Sequence, residues 1–497
     1  MNSKTKFNAL LFTPLRLRDL TLKNRVCVSP MGQCSALDGM PQDFHLAHYG
    51  SFALGGVGMV MVEATNVEER GRATPGCTGL WNDTQTDGWK RVTHLIKTLG
   101  SVAAIQLAHG GPKASCVPFW EGYQSLADDR GGWPTIGPTA VPFGGPVWKV
   151  PQEASQHDIK QITLSWIESA KRAVCAGFQV IELHFAHGYL VSSFLSPITN
   201  HRSDNYGGCL ENRMRFGLEI ARGVRDAIPD CIALGVRLSV TDYHKDGWDL
   251  KQSIEFAKQL KQIGIDFLDC SSGGVVLNAA EHPLNTNRAQ LEASAIIQQT
   301  VGLATAAVGQ IVDPLVAEDI LQSNGASLIM IGRALLNNPH WAYEAADALN
   351  ANYNSFKYHK QYEWCIGWTA REAPRYGMKA MAADPDRCDM NDLSLLPLIP
   401  NSLAIFCVST YWEGDPTDNA MAFYNWLLKG DTRLNGVRYA VFGLGNSSYE
   451  YFNKMGKYVD TRLEELGATR IHPLGLGDTA QHIDNYFINW KKNLWQS

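Results

Sequence analysis

The sequence lacks any uncharged run near the ~20 residues that a membrane-crossing helix needs. It lacks a secretory leader too: Met1–Lys6 runs into a short apolar patch and Pro14 with no h-region or cleavage site. Cysteines are present but unpaired in pattern. The eleven are scattered, with no CxxC and no ladder of metal spacing, which excludes a zinc-ribbon scaffold and favours reduced thiols. Most sit in apolar contexts, such as Cys27, Cys175 and Cys270. Charge of one sign is missing as well. Forty-four basic against 49 acidic residues give a net charge of −5, no footing for nucleic acid or an anionic membrane. There is no low-complexity tract and no Gly/Ser-rich linker. What remains is a soluble, cytoplasmic protein whose 497 residues exceed one domain and whose 45% hydrophobic content supplies ample core.

Eight short apolar runs recur through the first two-thirds: Val26–Ser29, Val57–Glu63, Val102–Leu107, Phe178–His184, Ile232–Leu238, Phe267–Ser271, Ala304–Val308 and Ser327–Ile331. Stretches with helical spacing separate most of them, such as Gln252–Ile263, Pro314–Ser323 and Pro339–Asn350. Strands alternating with helices make right-handed βαβ units and a parallel sheet. Eight such units predict an α/β fold, a (β/α)8 TIM barrel over 1–368, with a Gly-, Pro- and Trp-rich lid insertion at about 110–155. A second α/β unit follows over 369–497, with strand-like runs Leu403–Val408 and Arg438–Phe442.

In such a barrel the active site gathers at the C-terminal ends of the strands. Gly309 ends strand seven, and Gly332-Arg333 ends strand eight. Glycine there lets backbone approach a phosphate, amides at a following helix N-terminus hold it, and a guanidinium suits an anion. Gln106 and Arg237 end strands three and five. An amide suits the pyrimidine edge of a flavin, and a guanidinium stabilises the negative charge that the ring gains on reduction. Each of the two would also serve as a polar plug in the barrel core. His184 and His187, three residues apart at the end of strand four, can polarise one carbonyl oxygen, and Tyr189 can donate a proton. A histidine pair also binds zinc, but the HExxH pattern is absent and no third ligand is evident. His45 and His48, on an expected helix, read as packing and surface.

Several segments together resemble old yellow enzyme, in its thermophilic-like or xenobiotic-reductase branch of NADPH dehydrogenases. They are Asn24-Arg25, Ser29-Pro30-Met31, Phe44 through Tyr49, Glu63-Ala64-Thr65, Ile105 through His109 and Ile181 through Leu190. Ser193 through Pro197, Arg202 through Gly208, Glu211-Asn212-Arg213 and Ile331-Gly332-Arg333 continue the match over about 8–368. The resemblance implies FMN held by Ser29, Pro30, Met31, Gly32, Ala64, Gln106, Arg237, Gly309, Gly332 and Arg333. It implies catalysis by Tyr189, His184 and His187, and substrate contacts from Cys34, the two histidines and Trp364. It further implies ping-pong reduction of activated C=C bonds by NADPH, in a homo-oligomer whose Tyr362–Trp364 segment reaches a neighbour's site. Three departures stand out. Gly32 replaces the branch's cysteine, Cys34 replaces a tyrosine, and Gly111-Pro112-Lys113 replaces Gly-Arg-Lys.

The second unit resembles the flavodoxin-like FMN domain of diflavin NADPH–hemoprotein reductases. The residues are Arg375 through Lys379, Ala383-Asp384, Thr410 through Ala420, Phe442 through Asn446, Tyr449 through Asn453 and Leu474 through Asp478. In that family the positions of Tyr411 and Tyr449 flank the ring, and Trp412 here replaces a small glycine. The match begins inside the first helix, so the domain is partial, lacking its first strand and phosphate loop. Reduction of heme proteins through this segment, or a lapsed flavin-binding role suggested by Gly32 and Cys34, are the alternative functions.

Overall fold

Strands buried on both faces read as continuous apolar runs, and all eight expected runs form strands. The structure, a computed structural model, describes residues 9–145, 147–277, 287–349, 351, 403–411, 414–416, 421–431, 433–481 and 483–494. The strands are β1 (Val26–Val28), β2 (Met59–Asn66), β3 (Val102–Ala108), β4 (Val180–Phe185), β5 (Ala233–Ser239), β6 (Phe267–Ser271), β7 (Ala304–Val308) and β8 (Leu328–Ile331). They pair in parallel, and β8 closes on β1 to complete the barrel.

Helices α1 (Asp43–Leu54), α2 (Asp83–Thr98), α3 (Gln156–Cys175), α4 (Leu210–Ala227), α5 (Leu250–Ile263), α6 (Asn287–Val301) and α7 (Pro314–Gln322) alternate with the strands. Local chemistry fixes their ends. Ser155 and Asp158 form a capping box on α3, and Asp249 accepts from the Gln252 amide at the start of α5. Gly264 ends α5 with φ of 99°, which a side chain would strain. One helix differs from expectation. The segment read as 339–350 forms the shorter α8 (Trp341–Ala348), and a short helix Arg333–Asn337 precedes it, separated by the extended Asn338. Cys175 is exposed at the polar end of α3, whereas Cys27 and Cys270 are buried.

The two-residue period of each strand builds a graded interior. At the bottom, Met59, Met61, Val102, Ala104, Val180, Ala233, Phe267, Ala306, Leu328 and Met330 pack with Leu17 and Leu22 of an N-terminal hairpin that plugs this end. Two residues further up the same columns stand Gln106, Glu182, Asp269 and Gly332, then His184, Arg237 and Ser271. A bulge in β2 between Val62 and Ala64 interrupts the alternation. It turns Glu63 toward Tyr49 and His45 of α1 and sets Ala64 beside Gln106. Among its described residues the 110–155 insertion holds short 3-10 turns, a two-residue strand pair and an isolated bridge between Cys116 and Ser125.

The chain divides into two compact units, Met1–His359 and Lys360–Ser497. In the second, β9 (Leu403–Tyr411), β10 (Arg438–Gly445) and β11 (Gly475–Asp478) are parallel, with β10 in the middle. Helices α9 (Met421–Lys429) and α10 (Lys454–Glu465) cover one face of the sheet through Phe423, Leu427, Met455 and Val459. Helix α11 (Ile483–Leu494) covers the other through Trp490 and Leu494 against Phe442. Gly456 lets α10 touch β10 directly, since a Cβ there would lie 2.6 Å from the Gly443 Cα. Among the described residues, the far edge of β9 pairs only with the two-residue Asp415–Pro416 strand, at Thr410 and Tyr411.

Candidate active site

Because the eight strands are parallel, their polar ends converge on one mouth. Gln106 and Arg237 point into the barrel and are nearly fully buried. Gln106 Nε2 donates to Glu182 Oε2 at 2.6 Å, and Arg237 Nε lies 3.0 Å from Asp269 Oδ2. Gln106 Oε1 and both terminal guanidinium nitrogens of Arg237 make no hydrogen bond among the described residues. These are the donors and the acceptor that a flavin's pyrimidine edge requires. Ser29 is buried, its amide donating to Ile331 O at 2.9 Å, while Pro30, Met31 and Ala64 keep partial exposure around the mouth.

At the phosphate end, Gly332 stands over Met31. A Cβ there would lie 3.4 Å from the Met31 Sδ and 3.9 Å from the Ser29 Cβ, so a side chain would fill the cradle. Gly309 has φ of 135°, open to glycine alone. Arg333 is exposed and makes no hydrogen bond among the described residues. The helix that follows Gly332 is five residues long, so a dipole contributes little, and the groups available to an anion are the two glycine backbones and the Arg333 guanidinium. The set fits FMN. Gly32 is exposed, and a Cβ there would meet only Phe119 at 3.7 Å, so the position has room for the side chain it lacks.

The histidine pair is already wired. Ala186 N donates to His184 Nδ1 at 3.2 Å, which leaves the proton on His184 Nε2. That nitrogen lies 3.3 Å from His187 Nδ1, and His187 Nε2 lies 2.6 Å from Ser271 Oγ. His187 sits at φ of 62°, held by its amide donating to Ser239 Oγ at 2.9 Å. Burial first, then the Arg237 charge, pushes both imidazoles well below the usual histidine range. They therefore act as neutral hydrogen-bond donors. Among the described residues no three His, Cys, Asp or Glu side chains converge as metal ligands.

Tyr189 packs edge-on to His184, ring centroids 4.9 Å apart, and its hydroxyl lies 3.4 Å from that of Tyr123. Burial pushes the Tyr189 phenol up to about 12, so it keeps its proton. Cys34 is half-buried at φ of 49°, and hydrogen bonding from Cys77 draws its thiol down to about 7. Trp364 and the Tyr362–Trp364 segment lie outside the described residues, as do Arg375–Lys379 and Trp412. His45 is a buried packing residue, its Nε2 3.2 Å from Glu63 Oε1, and His48 stacks on Phe44.

Four residues at the site carry no role in the sequence reading. Lys113 is buried and donates to His187 O at 2.9 Å and Gly274 O at 3.1 Å, with its Nζ 5.3 Å from the Tyr189 ring centre. Burial lowers its amine to about 8. Ser271 anchors His187, and Glu182 and Asp269 back Gln106 and Arg237. A signal existed for Glu182 and Asp269: a lone acid inside an otherwise apolar strand, two residues from a polar strand end.

Residues 10–352 match the NADH:flavin oxidoreductase / NADH oxidase family, and residues 369–490 match flavodoxin. The chain is 41% identical to an NADPH dehydrogenase of Bacillus velezensis over 343 residues, covering 68% of this chain and 95% of that protein. It is 42% identical over 351 residues to an NADPH dehydrogenase of Bacillus licheniformis, covering 69% of this chain and 96% of that one. Among solved structures, morphinone reductase in complex with tetrahydroNAD aligns with a TM-score of 0.57 at 27% identity, over 69% of this chain and 92% of that one.

Proposed function

Since the chain belongs to the NADH:flavin oxidoreductase / NADH oxidase family, the old yellow enzymes, and is an FMN-dependent NADPH dehydrogenase, we propose that it reduces activated C=C bonds, such as those of enones. The observation that carries this reading is the neutral histidine pair at the mouth, flanked by a protonated tyrosine and a buried cation. FMN, when bound, relays hydride from the nicotinamide to the acceptor in two separate half-reactions.

The chain's own residues supply the rest. His184 Nε2–H is aimed at the space shared with His187, so a carbonyl oxygen entering there displaces the His184–His187 contact and accepts from His184 Nε2, and from His187 Nδ1 in the tautomer whose Nε2 accepts from the Ser271 hydroxyl. Negative charge that gathers on this oxygen during reduction is met by two N–H donors and by Lys113 nearby, so the site favours the transition state over the ground state. Tyr189 then gives its proton to the α-carbon, and its high pKa suits a strongly basic acceptor. Gln106, Arg237, Ala64 and Ser29 hold the ring, and Gly309, Gly332 and Arg333 hold the phosphate. A homo-oligomer is inferred from the family resemblance, and the scattered, unpaired cysteines favour a reducing compartment such as the cytoplasm.

The test is NADPH consumption with cyclohexenone or with cytochrome c as acceptor. Turnover with the enone and not with cytochrome c supports this reading. The reverse result transfers the function to electron transfer through the second unit.

A further inference from the structure

Two carboxylates are buried in the barrel with a single guanidinium. Glu182 and Asp269 are wholly buried, and Gln106 is 1% exposed. Register places Gln106 directly beside Glu182 on β3 and β4, and Arg237 directly beside Asp269 on β5 and β6. Asp269 faces the Arg237 Nε at 3.0 Å, whereas Glu182 receives only the Gln106 amide, at 2.6 Å. Among the described residues Glu182 Oε1, both Asp269 oxygens and Arg237 Nε have no hydrogen-bond partner, so the Arg237–Asp269 contact is an ion pair without a hydrogen bond.

We propose that Glu182 is a positioning residue for the flavin: its Oε2 accepts from the amide end of Gln106, so that only the carbonyl end is presented to the ring. Asp269 carries the charge that offsets Arg237. Two ionised carboxylates around one guanidinium would leave a net negative charge in a dry interior, which is costly. Burial and then the Asp269 charge push Glu182 up to about 8 against the opposing pull of Arg237, and burial raises Asp269 as well, so the pair shares a proton that the 3.0 Å contact of Asp269 with Arg237 leaves on Glu182.

The consequence is directional. An amide side chain has a donor end and an acceptor end, and either fits the same volume. With Nε2 committed to Glu182, Oε1 is left to accept from a ligand N–H, such as the imide of a flavin's pyrimidine edge. Asp269 in turn tempers Arg237, so the reduced ring is stabilised less than an unpaired guanidinium would stabilise it. That keeps the reduced cofactor a willing hydride donor. The inference rests on the proposed contact between Gln106 and FMN.

The experiment compares holoenzyme of wild type, Glu182→Gln, Glu182→Leu, Asp269→Asn and Gln106→Leu. Glutamine retains an oxygen that can accept from Gln106 Nε2; leucine does not. Glu182→Leu is expected to loosen FMN by about tenfold, the scale of one lost hydrogen bond, while Glu182→Gln rescues the affinity. In the infrared, a protonated carboxyl band present in wild type disappears in Glu182→Gln, and weakens in Asp269→Asn, where Glu182 is the one carboxylate left to balance Arg237. Asp269→Asn raises the FMN midpoint potential by about 30 mV, tenfold in relative affinity for the reduced form, and Glu182→Gln leaves it in place. Wild-type affinity in Glu182→Leu, equal loosening in both Glu182 variants, or a carboxyl band that survives Glu182→Gln would each overturn the inference. If Glu182→Leu does not fold, the infrared band and the potential of Glu182→Gln still decide. Wild-type affinity in Gln106→Leu would sink the flavin contact itself. Loosening in Gln106→Leu but not in Glu182→Leu sinks the present inference alone.

Discussion

His184 and His187 stand nearly perpendicular, at 86°, with Nε2 of the first 3.3 Å from Nδ1 of the second. The Ala186 amide fixes the His184 proton on Nε2, facing His187 Nδ1, and the Ser271 hydroxyl beside His187 Nε2 can accept or donate. A ligand oxygen at the mouth breaks the middle link and takes up the oriented His184 donor, while His187 adopts its Nδ1–H tautomer with Ser271 donating to Nε2. Only that tautomer change remains to oppose binding.

Replacing either histidine by alanine removes one hydrogen bond to a charged oxygen, a loss of about 1.5–3 kcal/mol in phenolate affinity. Phenolates mimic the charge that develops on a reacting carbonyl. The reductive half-reaction with NADPH should remain largely intact, because neither imidazole belongs to the ring-holding set. Phenol titrations and stopped-flow reduction separate the two effects. Wild-type phenol affinity in both variants would return the pair to a structural role.

Lys113 gives the site a pH dependence that the histidines do not. Both imidazoles stay neutral down through the usual histidine range, so affinity for a phenol already ionised at pH 7 is flat from there toward lower pH. Above it, affinity falls as Lys113 loses its charge near pH 8. Lys113→Met should abolish that fall and weaken binding at pH 7. The sign for stability is opposite. The folded-state pKa lies below the unfolded value of 10.5, so the folded chain binds fewer protons between about 8 and 10.5. Lys113's contribution to stability therefore improves as pH rises through that window. Wild-type melts that lose this rise in Lys113→Met would confirm it.

Tyr189→Phe removes the proton donor and leaves the oxygen site whole. Enone turnover should drop by about 10²–10⁴-fold, the usual worth of a positioned general acid, with phenol affinity unchanged. Since burial holds the phenol at about 12, the wild-type rate should show no alkaline limb from Tyr189 below pH 10. An unaltered turnover in the phenylalanine variant would pass the role to Tyr123, whose hydroxyl is 3.4 Å away.

How much of this was legible in the sequence follows from the geometry. Each barrel strand is a continuous apolar run because both faces are buried, and each candidate ligand sits where such a run ends. The β2 bulge left no mark, so nothing in Val62-Glu63-Ala64 told which of Glu63 and Ala64 turns inward. Partnerships were equally hidden. Gln106 and Glu182 are 76 residues apart, and only the register of β3 against β4 joins them. Lys113 looked like a lid residue because its burial depends on the carbonyls of His187 and Gly274. The helix expected over 339–350 runs from Trp341 to Ala348, with His340 as its N-cap.

Deleting residues 370–497 should leave ene-reductase activity nearly unchanged, with about one FMN per chain before and after. The proposed ring, phosphate and proton-donating groups, from Ser29 to Arg333, precede the cut. The family match ends at residue 352, and the two Bacillus proteins are covered over 95% and 96% of their lengths by the barrel alone. In the second unit, Tyr449 is 67% exposed, and the described edge of β9 pairs only at Thr410 and Tyr411. A sheet edge with so little pairing invites association, so the full-length chain should be less soluble than the shortened one. Flavin release with absorbance, turnover with cyclohexenone and light scattering test the three claims. Two FMN per full-length chain, or cytochrome c reduction that the deletion abolishes, would make the second unit an electron-transfer module.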